Sequence, residues 1–344
     1  MNYQADAPQP VREFLVYHDT IKGQSKATVD SYFLDLRTFT RYLMVSRNLV
    51  PRDTALEDID IHSADLAFYG NVTLTEIYDF LAYLSRDREL NASSRARMIT
   101  SLKGFYNYLT VKTKQLKDNP VQDLDTPKLR KTLPHYLTLE ESQRLLSSVD
   151  GKNKERDYCI LCLFLNCGLR ISEMVGLNLT AVRQDSLLIH GKGNKERMVA
   201  ITDDAAAHLK VLIACKHGPD PDPASPLFYT VHGGRKTRMS KSNVQGIVKK
   251  HAAGARAKCP DVPEHVHPHM FRRTRATDLY QQDVELELIS SMMGHADVNT
   301  TRTYAQPSLE KQREDMEAAN PPALGEVPVW IGNEEEMVRL CGLR

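Results

Sequence analysis

The sequence predicts a mainly α-helical protein of two domains with a small β-sheet. Three observations carry that expectation. Apolar residues recur three and four positions apart through much of the chain, the mark of amphipathic helices. Two apolar or β-branched runs, Ser186–His190 and Arg197–Ile201, flank the turn-forming stretch Gly191-Lys-Gly-Asn-Lys-Glu196 and read as a hairpin. The chain has 344 residues, more than the roughly 100–200 usual for one domain.

Taken in order, residues 1–9 are polar and proline-containing, a flexible lead-in. Val11 to Asp19 reads as a short helix. Thr28 to Arg47 reads as a longer one, with Val29, Tyr32, Phe33, Leu36, Phe39, Tyr42 and Leu43 at helical spacing. Pro51 to Asn71 breaks the pattern and contains Asp58-Ile-Asp-Ile61, expected as a loop of irregular structure. Thr73 is placed to cap a helix through about Arg86, whose stripe is Leu74, Ile77, Phe80, Leu81 and Leu84. Ala92 to Lys112 forms another, with Met98, Leu102, Phe105, Tyr106 and Leu109 inward. Asp118-Asn-Pro120 stops it, and the polar, proline-punctuated stretch to Pro134 reads as a linker able to wrap a duplex.

Thr138-Leu-Glu-Glu141 has the form of a capping box, threonine with an acid three positions on, and opens the second domain. Helices are expected at about 139–149 and 154–167. After the hairpin come helices at about 203–216, 240–254, 269–282 and 285–293, then a short one leading to Tyr304. No internal repeat is visible.

Charge narrows the function. The formal net charge is only +1, but the mean hides two tracts without a single acid. Ser93–Lys117 holds six basic residues, among them Arg95, Arg97 and Lys103; Pro223–Pro260 holds eight, among them Arg235, Lys236, Arg238 and Lys241. Ser308–Arg344 holds eight acids against four bases. One such tract is as well explained by a solvated helix face. Two of them beside phosphate-binding side chains point to a nucleic-acid backbone. No run nears the roughly 18 apolar residues of a membrane span, and the N-terminus has neither a basic n-region nor an apolar h-region, so a cytoplasmic protein with no membrane partner is expected.

Cys159-Ile-Leu-Cys162 has the C-x-x-C form, but it lies in the apolar run Tyr158–Leu165 and no second pair completes a zinc site. Core cysteines are expected there. His265-Val-His267-Pro-His269 invites a metal reading, which would need further ligands and would withdraw His269 from the pattern below. Neither metal nor cofactor is expected.

The chemistry concentrates near the C-terminus. His269-Met-Phe-Arg272 puts two side chains on one helix face, followed by Gly294-His295 and then Tyr304. A phenol among arginines and histidines suits nucleophilic attack at phosphorus, with the cations binding the oxygens. Gly168-Leu-Arg170-Ile-Ser-Glu173 adds an arginine with an acid three residues on, which a structural salt bridge explains equally well when taken alone. Lys192 at the hairpin tip, flanked by Lys195 and Arg197, could be merely solvated.

Together these residues resemble the tyrosine recombinase (phage integrase) family, and most closely its Xer-type branch. The family order is arginine in a Gly-Leu-Arg-x-Ser-Glu box, lysine in a hairpin, His-x-x-Arg, Gly-His, and tyrosine nine residues later. The chain has Arg170, Lys192, His269, Arg272, His295 and Tyr304 in that order. Gly191–Arg197 resembles the Xer hairpin, Gly294–Tyr304 its nucleophile segment, and Asn119–Glu141 its linker. The likeness covers about residues 11–306 and is looser in the first domain.

The resemblance implies a helical, SAM-like core-binding domain at 1–118, a linker at 119–134, a catalytic domain at 135–306, and a C-terminal helix with an acidic tail at 307–344. It implies a clamp on duplex DNA with inverted-repeat arms, working as a homotetramer or as a heterotetramer with a paralogue. Tyr304 would be the nucleophile, forming a 3′-phosphotyrosine. Arg170, Arg272 and His295 would hold the phosphate, Lys192 would be the general acid, His269 would assist, and Glu173 would orient the cations. Arg95, Arg97, Lys103, Lys195, Arg197, Arg235, Lys236, Arg238 and Lys241 are the expected DNA contacts. Arg273 stands where Xer-type relatives often have a second histidine, and nothing familiar matches Pro321–Arg344.

Two rivals remain open at this level. A type IB topoisomerase shares the chemistry but relaxes supercoils without exchanging partners; the Xer-like linker and two-domain size favour a recombinase. A silent DNA-binding protein has no need of a placed phenol. Within recombination, the long 51–71 segment and the extra tail favour integration and excision of a mobile element over Xer-like resolution.

Overall fold

The computed structural model describes residues 3–51, 53–128, 135–191, 195–294, 301, 302, 313, 316 and 339. The chain divides into two compact units, Met1–Thr132 and Leu133–Arg344.

The first unit is helical: α1 (Tyr3–Asp6), α2 (Gln9–Val16), α3 (Lys26–Ser46), α4 (Leu66–Gly70), α5 (Leu74–Arg86) and α6 (Ala92–Asn107). The expected apolar stripes form its core, with Phe33, Leu36, Phe39, Phe80, Leu102 and Phe105 all buried. Burial of such side chains is worth about 1.5–3 kcal/mol each, which is what holds α3, α5 and α6 together. The Thr73 cap is a full capping box: its hydroxyl accepts from the Glu76 amide at 3.2 Å, and the Glu76 carboxylate accepts from the Thr73 amide at 2.9 Å. Both α2 and α6 run on as π-helical turns, Tyr17–Ile21 and Tyr108–Lys112, whose Tyr17 and Tyr108 rings meet at 5.1 Å.

Two stretches are more ordered than their composition suggests. Within 51–71 lie a 3-10 turn, Leu56–Asp58, and α4. Alternation in Asp58-Ile-Asp-Ile61 turns Ile59 and Ile61 into the core. Arg41 then clasps the segment, donating to the Glu57 carbonyl at 2.7 Å and the Ile59 carbonyl at 3.0 Å. The linker was expected from Asn119, yet Val121 and Leu124 are buried in the same helical core. Their burial joins the start of that proline-flanked stretch to the first unit's core.

The second unit contains α7 (Leu139–Ser147), α8 (Lys154–Cys167), α9 (Ile171–Gly176), α10 (Asp203–His217), α11 (Lys241–Lys258), α12 (Pro268–Gln281) and α13 (Leu286–Met293). Helix α8 is apolar nearly all round and so is central, packing against α10 and α12. The Phe164 and Phe271 rings stack at 5.5 Å between α8 and α12. Cys159, Cys162 and Cys167 are core residues of α8; burial pushes their thiols up to about 12, 11 and 12, so they stay protonated. Thr138 caps α7 with the expected box.

Strands β1 (Ser186–His190) and β2 (Glu196–Ala200) pair antiparallel with Ser186 opposite Ala200 and His190 opposite Glu196. A second hairpin, β3 (Tyr229–His232) with β4 (Arg235–Arg238), was not expected. Its signal was present: Gly233-Gly234 between residues of strand type, both with positive φ (54° and 78°), as a two-residue hairpin turn demands. Its basic composition also fits a solvated charged tract, which hides the strand signal. Among the described residues, the small β content is therefore two two-stranded sheets. No helix among the described residues is long and apolar enough to cross a membrane.

Candidate active site

The site is built where α8 and α13 end. Both helices stop at a glycine in the left-handed conformation, Gly168 and Gly294, leaving C-terminal carbonyls unpaired and a negative dipole end. Three arginines from three elements fill these ends. Arg272 on α12 donates to the Gly168 carbonyl at 2.8 Å and to the Met293 carbonyl. Arg170, the N-cap residue of α9, donates to the Gly294 carbonyl at 2.9 Å and to Met293 at 3.4 Å. Arg197 on β2 donates through Nε to the Met292 carbonyl at 3.0 Å.

Glu173 sits among them as a single carboxylate for two guanidiniums. Its Oε1 accepts from Arg170 and from Arg197, both at 2.9 Å. Its Oε2 accepts from Arg197 at 2.9 Å and from the Arg170 amide at 2.9 Å. Burial pushes this carboxyl up, but the Arg197 and Arg170 hydrogen bonds outweigh it and hold the group below the usual carboxylate range. The two arginines and one acid leave an excess of positive charge, the condition for receiving an anion. The Arg170 side chain keeps 31% of its surface exposed, whereas Arg197 keeps 14% and Glu173 only 3%.

His269 lies in the first turn of α12 and is exposed. Partial desolvation lowers its pKa from 6.5, and His267, Arg272, Arg273 and Arg170 push the same way. The sign follows: a histidine with a depressed folded value is neutral at pH 7 and charges only on acidification, at a cost to the folded state. In an NMR pH titration of the DNA-free protein, its ring is expected to titrate below 6.5; a midpoint at or above that value would remove the cationic environment from the picture. His267 caps α12, its Nδ1 accepting from the Met270 amide at 3.2 Å. Among the described residues, no three histidine, cysteine or acidic side chains gather to hold a metal.

Sequence reasoning brought Arg170, Glu173, His269 and Arg272 into one set, and they all lie in the second unit around these helix ends. Lys192, His295 and Tyr304 lie outside the described residues. Of the expected DNA contacts, Lys195, Arg235, Lys236, Arg238 and Lys241 are exposed in the second unit. Arg238 also donates to the carbonyls of Val175 and Leu177, and Lys236 lies 4.7 Å from the Tyr229 ring centroid. On α6, Arg97 is exposed but reaches the buried Asp35 at 2.5 Å; Arg95 and Lys103 are partly exposed. Arg197, also among the expected DNA contacts, has its guanidinium turned onto Glu173 and α13. Alternation along β2 puts Arg197 on the same side as buried Val199, a pattern the sequence displays but a charged side chain disguises. Two other α12 arginines, Arg273 and Arg275, each have a buried Nε without a hydrogen-bond partner.

Comparison with known proteins gives this arrangement its class. Residues 135–311 match the model of the phage integrase family, and the chain belongs to that family. It is similar to the tyrosine recombinase XerC of Caldanaerobacter subterraneus subsp. tengcongensis, 37% identical over 308 residues that cover 89% of this chain and 85% of the relative. The XerC of Myxococcus xanthus is 32% identical, covering 91% and 98%; the XerD of Shewanella oneidensis is 30% identical, covering 85% and 90%. Among solved structures, a XerH recombinase bound to palindromic difH substrate has a TM-score of 0.64 at 21% identity, over 85% of this chain and 79% of that one. A lambda integrase dimer bound to a COC′ core site has a TM-score of 0.58 at 17% identity, over 86% and 94%. These two likenesses carry the two-domain fold. The chain is a tyrosine recombinase of the Xer type, an enzyme of site-specific recombination that cleaves and rejoins DNA.

Proposed function

We propose that this recombinase clamps duplex DNA at sites with inverted-repeat arms and exchanges strands through a 3′-phosphotyrosine at Tyr304. The Tyr304 oxygen bonds to phosphorus as the bond to the 5′-oxygen breaks, and the phenolic proton passes to His269 or to solvent. Lys192 supplies a proton to the departing 5′-oxygen. Arg170, Arg272 and His295 donate to the non-bridging oxygens as charge shifts onto them. Attack by another 5′-hydroxyl reverses the step, so the ester conserves the bond energy and neither ATP nor metal is consumed. Four protomers, all copies of this chain or shared with a paralogue, act in pairs, in the cytoplasm, to integrate and excise a mobile element or to resolve sites in the Xer manner.

The observation that carries this reading is the convergence of Arg170 and Arg272 on the last carbonyls of α13. That helix end passes directly into Gly294-His295 and on to Tyr304. The exposed basic hairpin β3–β4 and the exposed Lys241 that opens α11 supply cations suited to a phosphate backbone.

Covalent trapping tests it. The purified protein is incubated in EDTA, without ATP, with nicked duplexes drawn from the DNA that flanks its gene. A denaturation-resistant adduct is expected, and digestion should locate the DNA on the peptide containing Tyr304. Tight binding with no adduct on any flanking duplex would overturn the assignment in favour of a silent binder. Relaxation of plasmids that lack the recovered site would favour a topoisomerase.

A further inference from the structure

We propose that Arg197 is a positioning residue for strand cleavage: it locks the β1–β2 hairpin and the C-terminal end of α13 in one register around Arg170, and it does not contact DNA. The proposal rests on the recombinase reading above, because it concerns how that site is held.

Geometry carries it first. All three sides of the Arg197 guanidinium are engaged by protein: Nη1 and Nη2 grip both Glu173 oxygens at 2.9 Å, and Nε holds the Met292 carbonyl at 3.0 Å. A lysine has no planar fork and cannot reproduce those three bonds. The space around the group is carved by two glycines that belong to the segments it joins. A Cβ on Gly294, whose φ is +64°, would stand 2.9 Å from Arg197 Nη1 and 3.0 Å from its Cζ. A Cβ on Gly191 would stand 3.6 Å from Nη1 and 3.3 Å from the Lys195 carbonyl that closes the hairpin. The hairpin that contains Lys192 and the helix end that runs into His295 thus meet on one side chain.

Charge carries it second. Arg170 and Arg197 share Glu173. Without Arg197, the carboxylate would fall entirely to Arg170 and neutralise the guanidinium expected to meet the phosphate. Arg197 therefore keeps Arg170 electropositive as well as placed. Misplacement of a reacting group by about 1 Å costs about 100-fold in rate, so a residue that touches no substrate can still govern cleavage.

The test uses the full chain with Arg197→Ala, Arg197→Lys and, as a variant of the same contact from the other side, Gly294→Ala. First, binding to a mixed-sequence duplex is measured against salt. The slope of log affinity on log salt is expected to be unchanged in Arg197→Ala; a slope smaller by about 0.9, one lost phosphate contact, would overturn the proposal. Second, amide hydrogen exchange is followed without DNA. The hairpin and the last turn of α13 are expected to exchange about tenfold faster together in Arg197→Ala and Arg197→Lys, with α10 unaffected. Independent behaviour of the two segments would overturn it. Third, on the duplex recovered by trapping, adduct formation is expected to slow about 100-fold in both variants with affinity retained. Wild-type speed in Arg197→Ala would overturn the proposal, whereas failure of the wild type to form an adduct would overturn the recombinase assignment and leave the first two measurements to decide this one.

Discussion

Tyr304→Phe is expected to abolish the covalent protein–DNA complex while leaving affinity for duplex DNA within about twofold. The substitution removes one oxygen and keeps the ring and the net charge. What is lost is the only atom proposed to bond to phosphorus. Loss of a nucleophile in a hydrolytic enzyme costs about 10⁶-fold in turnover, so adduct should fall below detection in a gel that resolves the wild-type complex. Arg170→Ala should behave differently in degree. It removes donors to the transition state, worth about 10²–10³-fold, so adduct should still accumulate over long incubations. If Tyr304→Phe forms adduct at the wild-type rate, another side chain is the nucleophile. If it forms none but also fails to bind DNA in a gel shift, the residue acts in binding, and the chemical assignment fails.

Glu173→Leu is expected to destabilise the second unit by about 3–5 kcal/mol, the cost of removing one member of a buried ionic cluster and leaving its partners unpaired. The Nη1 and Nη2 groups of Arg197 and the Arg170 backbone amide would lose their acceptor, and leucine offers none. Glu173→Gln keeps the shape and one acceptor oxygen, so it should cost less in stability. The pH dependence separates the two contributions. The Glu173 carboxyl is held below its ordinary value in the folded chain, so its contribution is fully present above the unfolded carboxylate pKa and is lost as pH falls through the lower, folded value. Wild type and Glu173→Gln should therefore differ most near neutral pH and converge on acidification, as read by chemical denaturation at a series of pH values. A constant gap down through the acid range would mean that the carboxylate charge is not what the two arginines require. Because Glu173 orients Arg170, cleavage by Glu173→Gln should also slow, with salt-dependent DNA affinity retained.

Much of the molecule was legible from the sequence because its signals are local. A helix is announced by spacing and by its caps, and Thr73 and Thr138 form their boxes within four residues of chain. The run Tyr158–Leu165 is apolar without a polar face, which is why α8 lies at the centre of its unit. The family was legible for a different reason: phosphoryl chemistry demands particular side chains, and their order along the chain is specific enough to identify it. For Lys192, His295 and Tyr304 the sequence remains the source of their assignment.

What only the tertiary structure decided are partnerships between groups distant in the chain. Arg197 reads as one more cation on a basic hairpin. Its inward turn depends on Glu173 and on the Met292 carbonyl, 24 and 95 residues away. Arg97 reads as one more exposed cation, and its ion pair with the buried Asp35, 62 residues before it, is visible only in the fold. The 51–71 segment reads as a loop because its order comes from burying Ile59 and Ile61 under a helix core built elsewhere, and from Arg41 on α3. Charge and hydropathy state what a side chain can do in water. Which carbonyl or carboxylate replaces that water is settled only when the helix ends and the hairpin meet, as they do at the Arg197 guanidinium on Glu173 and the Met292 carbonyl.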